Sequence, residues 1–211
     1  MTRYLTAVPV ALLLLLTGCS SSDDNDDNGD KSAKAGSETT TSSSEGRVEV
    51  GGVSFELPED WTTLDAQEMA DDVGETDEMK EVQGALGMSD AQFDQLMDSV
   101  DLYAVTGEGA KNGFLDNVVA VVVPGSMPSD TQIESEILAL EGKVQSLERE
   151  ETDAGEVARM AYTMPAGAGE VQGEALSVEV DGSVVSISVS TPDAATSAEV
   201  ADLIMETISE A

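Results

Sequence analysis

The sequence predicts an antiparallel α+β sandwich, and three observations carry this prediction. Several short segments alternate apolar and polar residues and are joined by turns rich in glycine, which is the pattern of β-hairpins. Other segments keep an apolar stripe at helical spacing. The predicted order is two strands, a helical segment, two strands, a long helix, three or more strands and a final helix. Paired strands with grouped helices favour an antiparallel sheet over a regular βαβ succession.

The first 18 residues are predicted to be a signal peptide that is removed from the mature protein. Arg3 precedes the apolar run Leu5–Leu16, which is too short to span ~30 Å of hydrocarbon comfortably. The run ends in Leu16-Thr17-Gly18-Cys19, which resembles the bacterial lipobox. The resemblance implies cleavage before Cys19, thioether lipidation of its sulfur and acylation of the new amino terminus by a chain such as palmitate. We therefore expect an extracytoplasmic lipoprotein, lipid-anchored to the cell membrane; the alternative is an ordinary secretory signal with an incidental cysteine.

Residues 19–46 begin with the lipidated cysteine and are predicted to form a disordered, acidic, Ser/Thr-rich tether. The segment holds almost no apolar residues, so it cannot bury enough surface to order itself. A calcium loop is the sharper alternative, because four residues match the start of the D-x-D-x-N-G pattern: Asp24, Asp26, Asn28 and Gly29. The position that needs a bidentate Glu is Ala35, however, and the plain tether is favoured.

Residues 47–211 are predicted to form one folded domain built on paired strands. The predicted strands are Val48–Val50 and Val53–Leu57 around Gly51-Gly52, Leu102–Val105 and Val118–Val123, Val157–Met164 ended by Pro165, and a hairpin from Ala175 to Ser190. The last hairpin is the clearest, because its two alternating runs flank Asp181-Gly182, a pair that favours a type I′ turn.

Three helices are predicted in the same domain. The first is a long helix with one apolar stripe of Ile133, Ile137, Leu140, Val144 and Leu147, opened by a capping box of Ser129 and Gln132. The final helix carries Val200, Leu203, Ile204 and Ile208. A third is capped by Ser89 with Gln92 and carries Phe93, Leu96 and Met97.

The charge balance excludes several classes of function. The chain has 43 Asp and Glu against 9 Lys and Arg, a net charge of −34, and no histidine. This net charge argues against nucleic acid or anionic lipid headgroups as the main partner, because binding phosphates needs basic patches. Without histidine, a Ser-His-Asp triad and His-ligated zinc are excluded. The acidity suits a saline or cation-rich exterior, or it serves a basic partner; the sequence leaves both open.

Two short motifs carry a family resemblance. The segment Val53–Trp61, a strand followed by Pro58 and Trp61, is similar to the opening of PsbP-like and Mog-type domains. Gly113–Val118 is similar to the start of a strand in the same domains. Actinobacterial lipoproteins of the LpqN type carry such a domain behind a lipobox and a Ser/Thr tether. The resemblance implies an α/β/α sandwich around an antiparallel sheet, a role in binding or assembly rather than an enzyme, and an actinobacterial source. The segment Leu64–Val100 departs from it by being longer and more acidic than expected.

The segment from Asp65 to Asp98 is the candidate ligand or partner surface. It carries eleven acids against Lys80, and four methionines recur at intervals of nine or ten: Met69, Met79, Met88 and Met97. Flexible thioethers fill irregular gaps and suit adaptable surfaces. The segment is therefore either a helical cover that packs on the sheet or a mobile lid over an apolar pocket or docking surface. Its acids allow weak association with Ca²⁺ or Mg²⁺, but nothing specifies a coordination shell, and we predict no metal site.

No candidate catalytic residue and no cofactor are predicted. Ser89 in Gly87–Ala91 superficially resembles a nucleophile elbow, but it has no histidine base and is better explained as a helix cap. Trp61 is predicted to be a packing anchor. The predicted function is a membrane-anchored surface lipoprotein that acts as a non-catalytic interaction or assembly module in the cell envelope, with an envelope protein as partner. The alternative is an extracytoplasmic carrier of a lipid or another hydrophobic ligand.

Overall fold

A computed structural model of the chain describes residues 46–64, 100–107, 114–166 and 169–211. Within these ranges the chain forms ten strands and two helices. In chain order they are β1 (Arg47–Val50), β2 (Val53–Glu56), β3 (Trp61–Leu64), β4 (Leu102–Thr106), β5 (Asn117–Pro124), α1 (Asp130–Ala139), β6 (Lys143–Thr152), β7 (Gly155–Ala166), β8 (Gly169–Val180), β9 (Ser183–Thr191), α2 (Ala194–Thr207) and β10 (Ser209–Glu210). The signal peptide, the tether and the predicted helix after Ser89 lie outside the described residues.

The strands form one large and one small antiparallel sheet. The large sheet has seven strands in the order β3-β4-β5-β9-β8-β7-β6, and the small sheet has the order β1-β2-β10. Every pair of neighbouring strands is antiparallel. The predicted α+β class, an antiparallel sheet flanked by helices, is confirmed.

The main core lies on the first face of the large sheet. Val157, Leu176 and Ile187 point to this face from three adjacent strands and pack with residues of α2 and of the small sheet. Burial of these apolar side chains supplies the main favourable free energy of folding. The helix α2 carries the predicted stripe, with Val200 and Ile204 buried in this core.

A smaller core lies on the second face, under α1. Successive residues of a strand point to opposite faces, so Met160 and Tyr162 of β7 lie on the other side from Val157. They pack with Ile133 and Ile137 of α1. The two helices therefore cover opposite faces of the sheet, and the described part of the chain has the helix–sheet–helix layering that the sequence predicts.

The side chain of Arg47, at the start of β1, links the strands of the small sheet. Its Nη2 donates to Ser54 Oγ at 2.9 Å, to Ser209 Oγ at 2.8 Å and to the carbonyl of Thr207 at 3.2 Å. Its Nη1 lies 3.6 Å from Glu56 Oε1. One side chain thus joins β1 to β2 and to the end of α2.

The predicted hairpins are confirmed with their turns. β1 pairs with β2 across Gly51-Gly52, and β4 pairs with β5. β8 pairs with β9 across Asp181-Gly182, whose φ angles of 50° and 76° are those of a type I′ turn. Trp61 is half-buried against the main core, as a packing anchor should be, but it begins β3, a strand that the sequence analysis missed.

The prediction of one long helix through Leu147 is wrong. The helix α1 ends at Ala139, and the chain leaves it through a Schellman turn. In this turn the N–H of Glu141 donates to the carbonyl of Leu138 at 3.1 Å, and the N–H of Gly142 donates to that of Ile137 at 2.9 Å. Glu141, with φ of 62°, occupies the left-handed position that glycine usually takes. The sequence therefore lacks the glycine that would normally mark the end of the helix at this position.

A β-bulge explains why Val144 and Leu147 of β6 seemed to continue the apolar stripe of the helix. Val144 pairs with Tyr162 and Leu147 pairs with Met160, with a β-bulge between Val144 and Ser146. Because a bulge adds one residue to a strand, two residues three apart fall on the same face. Val144 and Leu147 therefore pack against the core under α1 with a spacing that imitates a helix.

Strand β7 also runs farther than predicted. It continues through Pro165, which pairs with Glu170 of β8, and ends at Ala166. The neighbour β6 begins at Lys143, opposite Thr163, so β7 is itself an edge at Pro165. A proline without an N–H donor is tolerated at such a position.

Candidate interaction surface

The outer edge of the large sheet is a ten-residue strand. β6 is last in the strand order and pairs with β7 alone among the described strands. Alternate backbone N–H and C=O groups of an edge strand point away from the sheet and can pair with another chain. Seven of its side chains are exposed: Lys143, Gln145, Ser146, Glu148, Arg149, Glu150 and Glu151. We call β6, together with Leu138 and Leu140 at the end of α1, the edge surface.

The acids of β6 are divided between the two faces of the sheet. Glu148 lies opposite Arg159 and Glu150 lies opposite Val157, so both belong to the first face. They are two residues apart, which separates their Cα atoms by about 7 Å along the strand. Glu151 belongs to the second face. None of the three makes an ion pair that the described residues provide.

Arg149, the basic residue in the middle of β6, is held by its own chain. Its Nε and Nη2 donate to Asp130 Oδ1 at 2.9 and 2.7 Å, and its Nη1 donates to Glu156 Oε1 at 2.9 Å. Its Nη2 also donates to the carbonyl of Pro128 at 3.0 Å. The hydrogen bonds to Asp130 and then Glu156 raise the pKa of Arg149 above its usual value. The arginine fixes the first turn of α1 to β6 and leaves the edge acidic.

Two exposed leucines stand where α1 leads into the edge. The side chains of Leu138 and Leu140 are 63% and 42% exposed, and they are the large apolar residues found exposed among the residues that the structure describes. The Schellman turn fixes their backbone, with Leu140 as the C-cap. Single exposed leucines are ordinary on protein surfaces. Two beside an edge that no described strand covers provide an apolar contact next to the outward-facing backbone groups of β6.

The space between α1 and the sheet is small. A depression there is lined by Ile133, Glu136, Ile137, Met160, Ala175, Ser177 and Ser186. Its volume is about 20 Å³. A space of this size holds about one water molecule. A bound hydrocarbon ligand needs a few hundred Å³, so this depression is no carrier site.

Two buried tyrosines lie on the second face. The ring of Tyr162 lies over Gly173, and its hydroxyl makes no hydrogen bond to the described residues although Ser188 and Ser190 are close. Burial raises the pKa of Tyr162 to about 12, against the smaller lowering effect of the two serines. Burial also raises the pKa of Tyr103. Both phenols stay neutral near pH 7 and serve packing, not proton transfer.

A second ion-pair group fixes α2 to the first face. Arg159 Nε donates to Glu174 Oε2 at 3.1 Å, and its Nη1 donates to Asp202 Oδ1 at 2.6 Å. Burial lowers the pKa of Arg159, but the hydrogen bonds to Glu174 and Asp202 outweigh burial and the pKa is raised overall. The group is structural, because Glu174 is buried beneath the helix.

The site residues predicted from the sequence lie outside the described residues. These are Cys19 and the four methionines Met69, Met79, Met88 and Met97. Within the described ranges no three His, Cys, Asp or Glu side chains are grouped closely enough to hold a metal ion. In the same ranges no helix has the length and apolar character needed to cross a membrane.

Sequence reasoning missed the edge surface. The sequence predicts a helix through Leu147 and assigns residues 148–152 to no element. The signal that could have revealed it is Gly142, which lies inside the predicted helix. A glycine at that point ends a helix and allows a strand to begin.

No known family model matches the chain, and no curated protein matches it in sequence. Among solved structures the chain is similar to the cyanobacterial PsbP protein CyanoP of Synechocystis sp. PCC 6803, with 11% identity and a TM-score of 0.48, covering 78% of this chain and 91% of that one. It is also similar to LpqN of Mycobacterium tuberculosis, a protein involved in cell envelope biogenesis, with 10% identity and a TM-score of 0.43, covering 74% and 82%. Both are of the kinds that the sequence motifs resemble, and the fold class itself rests on the strand order and register given above.

Proposed function

We propose that the protein is a surface lipoprotein, anchored outside the cell membrane through a lipid on Cys19, whose domain acts as a non-catalytic docking module in the cell envelope. The anchor is inferred from the lipobox pattern that ends at Cys19. Two or more acyl chains give stable anchoring, where a single chain is marginal.

The edge surface is the observation that carries the docking function. A strand with ten residues and no described neighbour on its outer side exposes a row of backbone donors and acceptors. Natural proteins usually shorten or cover such an edge unless another chain uses it. The exposed Leu138 and Leu140 adjoin it and add apolar area. Together they favour recognition of a protein partner.

The carrier function remains the alternative, with the methionine-rich segment as its site. A carrier needs apolar lining around a cavity of a few hundred Å³. The depression under α1, at about 20 Å³, gives that alternative no support. The candidate site of this alternative is the segment that carries Met69, Met79, Met88 and Met97.

Site-specific photo-crosslinking in intact cells tests the proposal on the full chain. A photoreactive residue replaces Ser146, which is exposed on β6, and a matched control replaces Thr62, which is exposed on β3 at the opposite edge. We expect a discrete protein adduct from position 146 and none from position 62. A third variant carries the photoreactive residue at Met88; a lipid adduct from this position, with no protein adduct from either edge, would favour the carrier function over docking.

The anchor has a separate test. Cys19→Ala should carry no lipid while the domain stays folded, because no other cysteine is available for lipidation. Metabolic labelling with an alkynyl fatty acid should mark the parent protein and not the variant. Labelling that persists in Cys19→Ala would contradict the anchor.

A further inference from the structure

The chemistry of the edge surface defines the kind of segment that fits it. This inference rests on the proposed docking function and names the partner's chemistry. We propose that β6 accepts an extended, basic segment of a partner protein as an added β-strand, with Lys or Arg at alternate positions opposite Glu148 and Glu150.

The backbone supplies the affinity of such an interaction. An extended segment that adds to a free edge pairs its own N–H and C=O groups with those of the edge strand. β6 has ten residues, so its length of about 33 Å can accept a strand of ordinary length, five or six residues. The bulge between Val144 and Ser146 interrupts the regular edge near its start. The regular ladder after it, Ser146 to Thr152, is the part that remains for a partner.

The side chains select for positive charge. In an added strand, residues directly opposite Glu148 and Glu150 would have Cβ atoms about 4.5–5.5 Å away, within reach of an ion pair. Arg149 does not compete for these glutamates, because Asp130 and Glu156 already engage it. The net charge of −34 also attracts a basic segment from a distance and raises its association rate.

The same charges disfavour a second copy of this chain in the register that aligns the two acidic runs. Antiparallel pairing of two β6 edges would bring the acidic run Glu148–Glu151 of one copy against that of the other. Like charges directly opposite each other across strands are destabilising. The acidic part of the edge therefore resists self-association, which is the usual hazard of a long edge strand, and favours a basic segment.

The end of the strand near Lys143 adds an apolar requirement. Only Glu141 and Gly142 separate Leu140 from the start of β6. A partner segment with a large apolar residue at that end would cover Leu138 or Leu140, so the fitting sequence is basic and alternating with an apolar anchor.

A peptide-binding experiment on the full lipidated chain in neutral detergent micelles tests this. The probe is a fluorescent (Lys-Thr) four-repeat peptide with a terminal Phe, measured by anisotropy at low salt. Two control peptides are used. The first keeps the charge and has Pro at alternate Thr positions, and the second has Glu in place of every Lys. We expect binding of the first peptide only, because proline removes the backbone donors that strand addition uses.

Paired variants locate the site. Glu148→Gln/Glu150→Gln should weaken binding about fivefold to tenfold, since two exposed ion pairs are lost. The matched control Glu199→Gln/Glu206→Gln removes the same charge from exposed positions of α2 and should change binding less than twofold. Amide exchange should slow at residues 146–152 of the complex and leave β3 unchanged.

The outcomes separate this inference from the docking function. Equal weakening by both pairs of substitutions, or equal binding of the proline peptide, would overturn strand addition in favour of diffuse attraction. Concentration-dependent dimers in sedimentation, with slowed exchange at β6, would overturn the basic partner in favour of a second copy. A photo-adduct at position 146 whose partner segment is acidic or wholly apolar would overturn this inference while leaving the docking function intact.

Discussion

Replacing Gly173 by alanine is expected to destabilise the domain through one identifiable neighbour. Gly173 of β8 lies opposite Tyr162 of β7, and the aromatic ring lies across the glycine. A methyl group built on Gly173 would stand 2.5 Å from the Cε2 and hydroxyl oxygen of Tyr162 and closer still to Cζ. Carbon atoms in favourable contact are about 3.5–4.0 Å apart. The ring would therefore have to move by roughly 1 Å or more.

The ring has little room to move, because the side chain of Tyr162 is only 1% exposed. Forcing an extra methyl group into a packed core costs about 1–3 kcal/mol. Without the ring, alanine in a strand would be more stable than glycine by roughly 0.5–1 kcal/mol. The sign of the effect thus depends on Tyr162 alone. For a domain of this size the loss corresponds to a fall in Tm of roughly 2–12 °C.

A double-mutant cycle measures this dependence. The free energy of unfolding is determined in urea for the parent, Gly173→Ala, Tyr162→Leu and the double variant. Leucine is shorter than tyrosine and leaves Gly173 uncovered, so the alanine should cost little or be stabilising in that background. We expect a coupling free energy of at least about 1 kcal/mol between the two sites. An equal cost of Gly173→Ala in both backgrounds would refute the steric argument.

Three further predictions follow from the electrostatics. Arg159→Met should lower the free energy of unfolding by about 2–4 kcal/mol because it leaves the buried Glu174 unpaired, whereas Asp202→Asn, at an exposed partner, should cost less than about 1 kcal/mol; equal losses in urea unfolding would contradict this. Hydrogen bonds from Thr196, first from its backbone N–H, lower the pKa of Asp193, so its stabilisation is present above the ordinary Asp pKa of about 3.9 and is lost as the pH falls through the lowered value. The difference in free energy of unfolding between the parent and Asp193→Ala should therefore be constant near neutrality and shrink in acid. A difference that grows in acid would contradict a lowered pKa for Asp193. Because the net charge is −34, Tm should rise with NaCl as the Debye length falls from ~10 Å at 0.1 M to ~3 Å at 1 M, and a Tm independent of salt would show that self-repulsion is unimportant.

Much of the fold could be predicted because its signals are local. The Asp181-Gly182 pair requires positive φ at both residues, and only a tight hairpin supplies that geometry. Gln132 was recognised as the partner of Ser129, and its side-chain oxygen accepts the N–H of Ser129 at 3.0 Å. Such contacts join residues within a few positions of each other, so a single sequence contains them entirely.

The edge surface could not be predicted because it depends on distant pairing. Whether Glu148 and Glu150 lie on a helix, in a loop or along an open edge is decided by the position of β6 beside β7 and by the lack of a described strand beyond it. The bulge after Val144 also matched the helical period by coincidence. A three-residue spacing is shared by one helical turn and a bulged strand, and only the register across to Tyr162 distinguishes them.

The hairpin of the small sheet determines how the domain responds to mechanical force. If Cys19 is the anchor, tension between the membrane and a partner held at β6 enters the fold at Gly46, whose carbonyl accepts the N–H of Leu57 at 2.8 Å. That point is the open end of the β1–β2 hairpin, so a pull would peel β1 away one pair at a time, toward the turn. The first residue to be separated is Arg47, which is hydrogen-bonded to Ser54 of β2 and to Ser209 of β10, the other two strands of the small sheet. With such an anchor, the hydrogen bonds of the Arg47 side chain would set how much tension the small sheet bears before it opens.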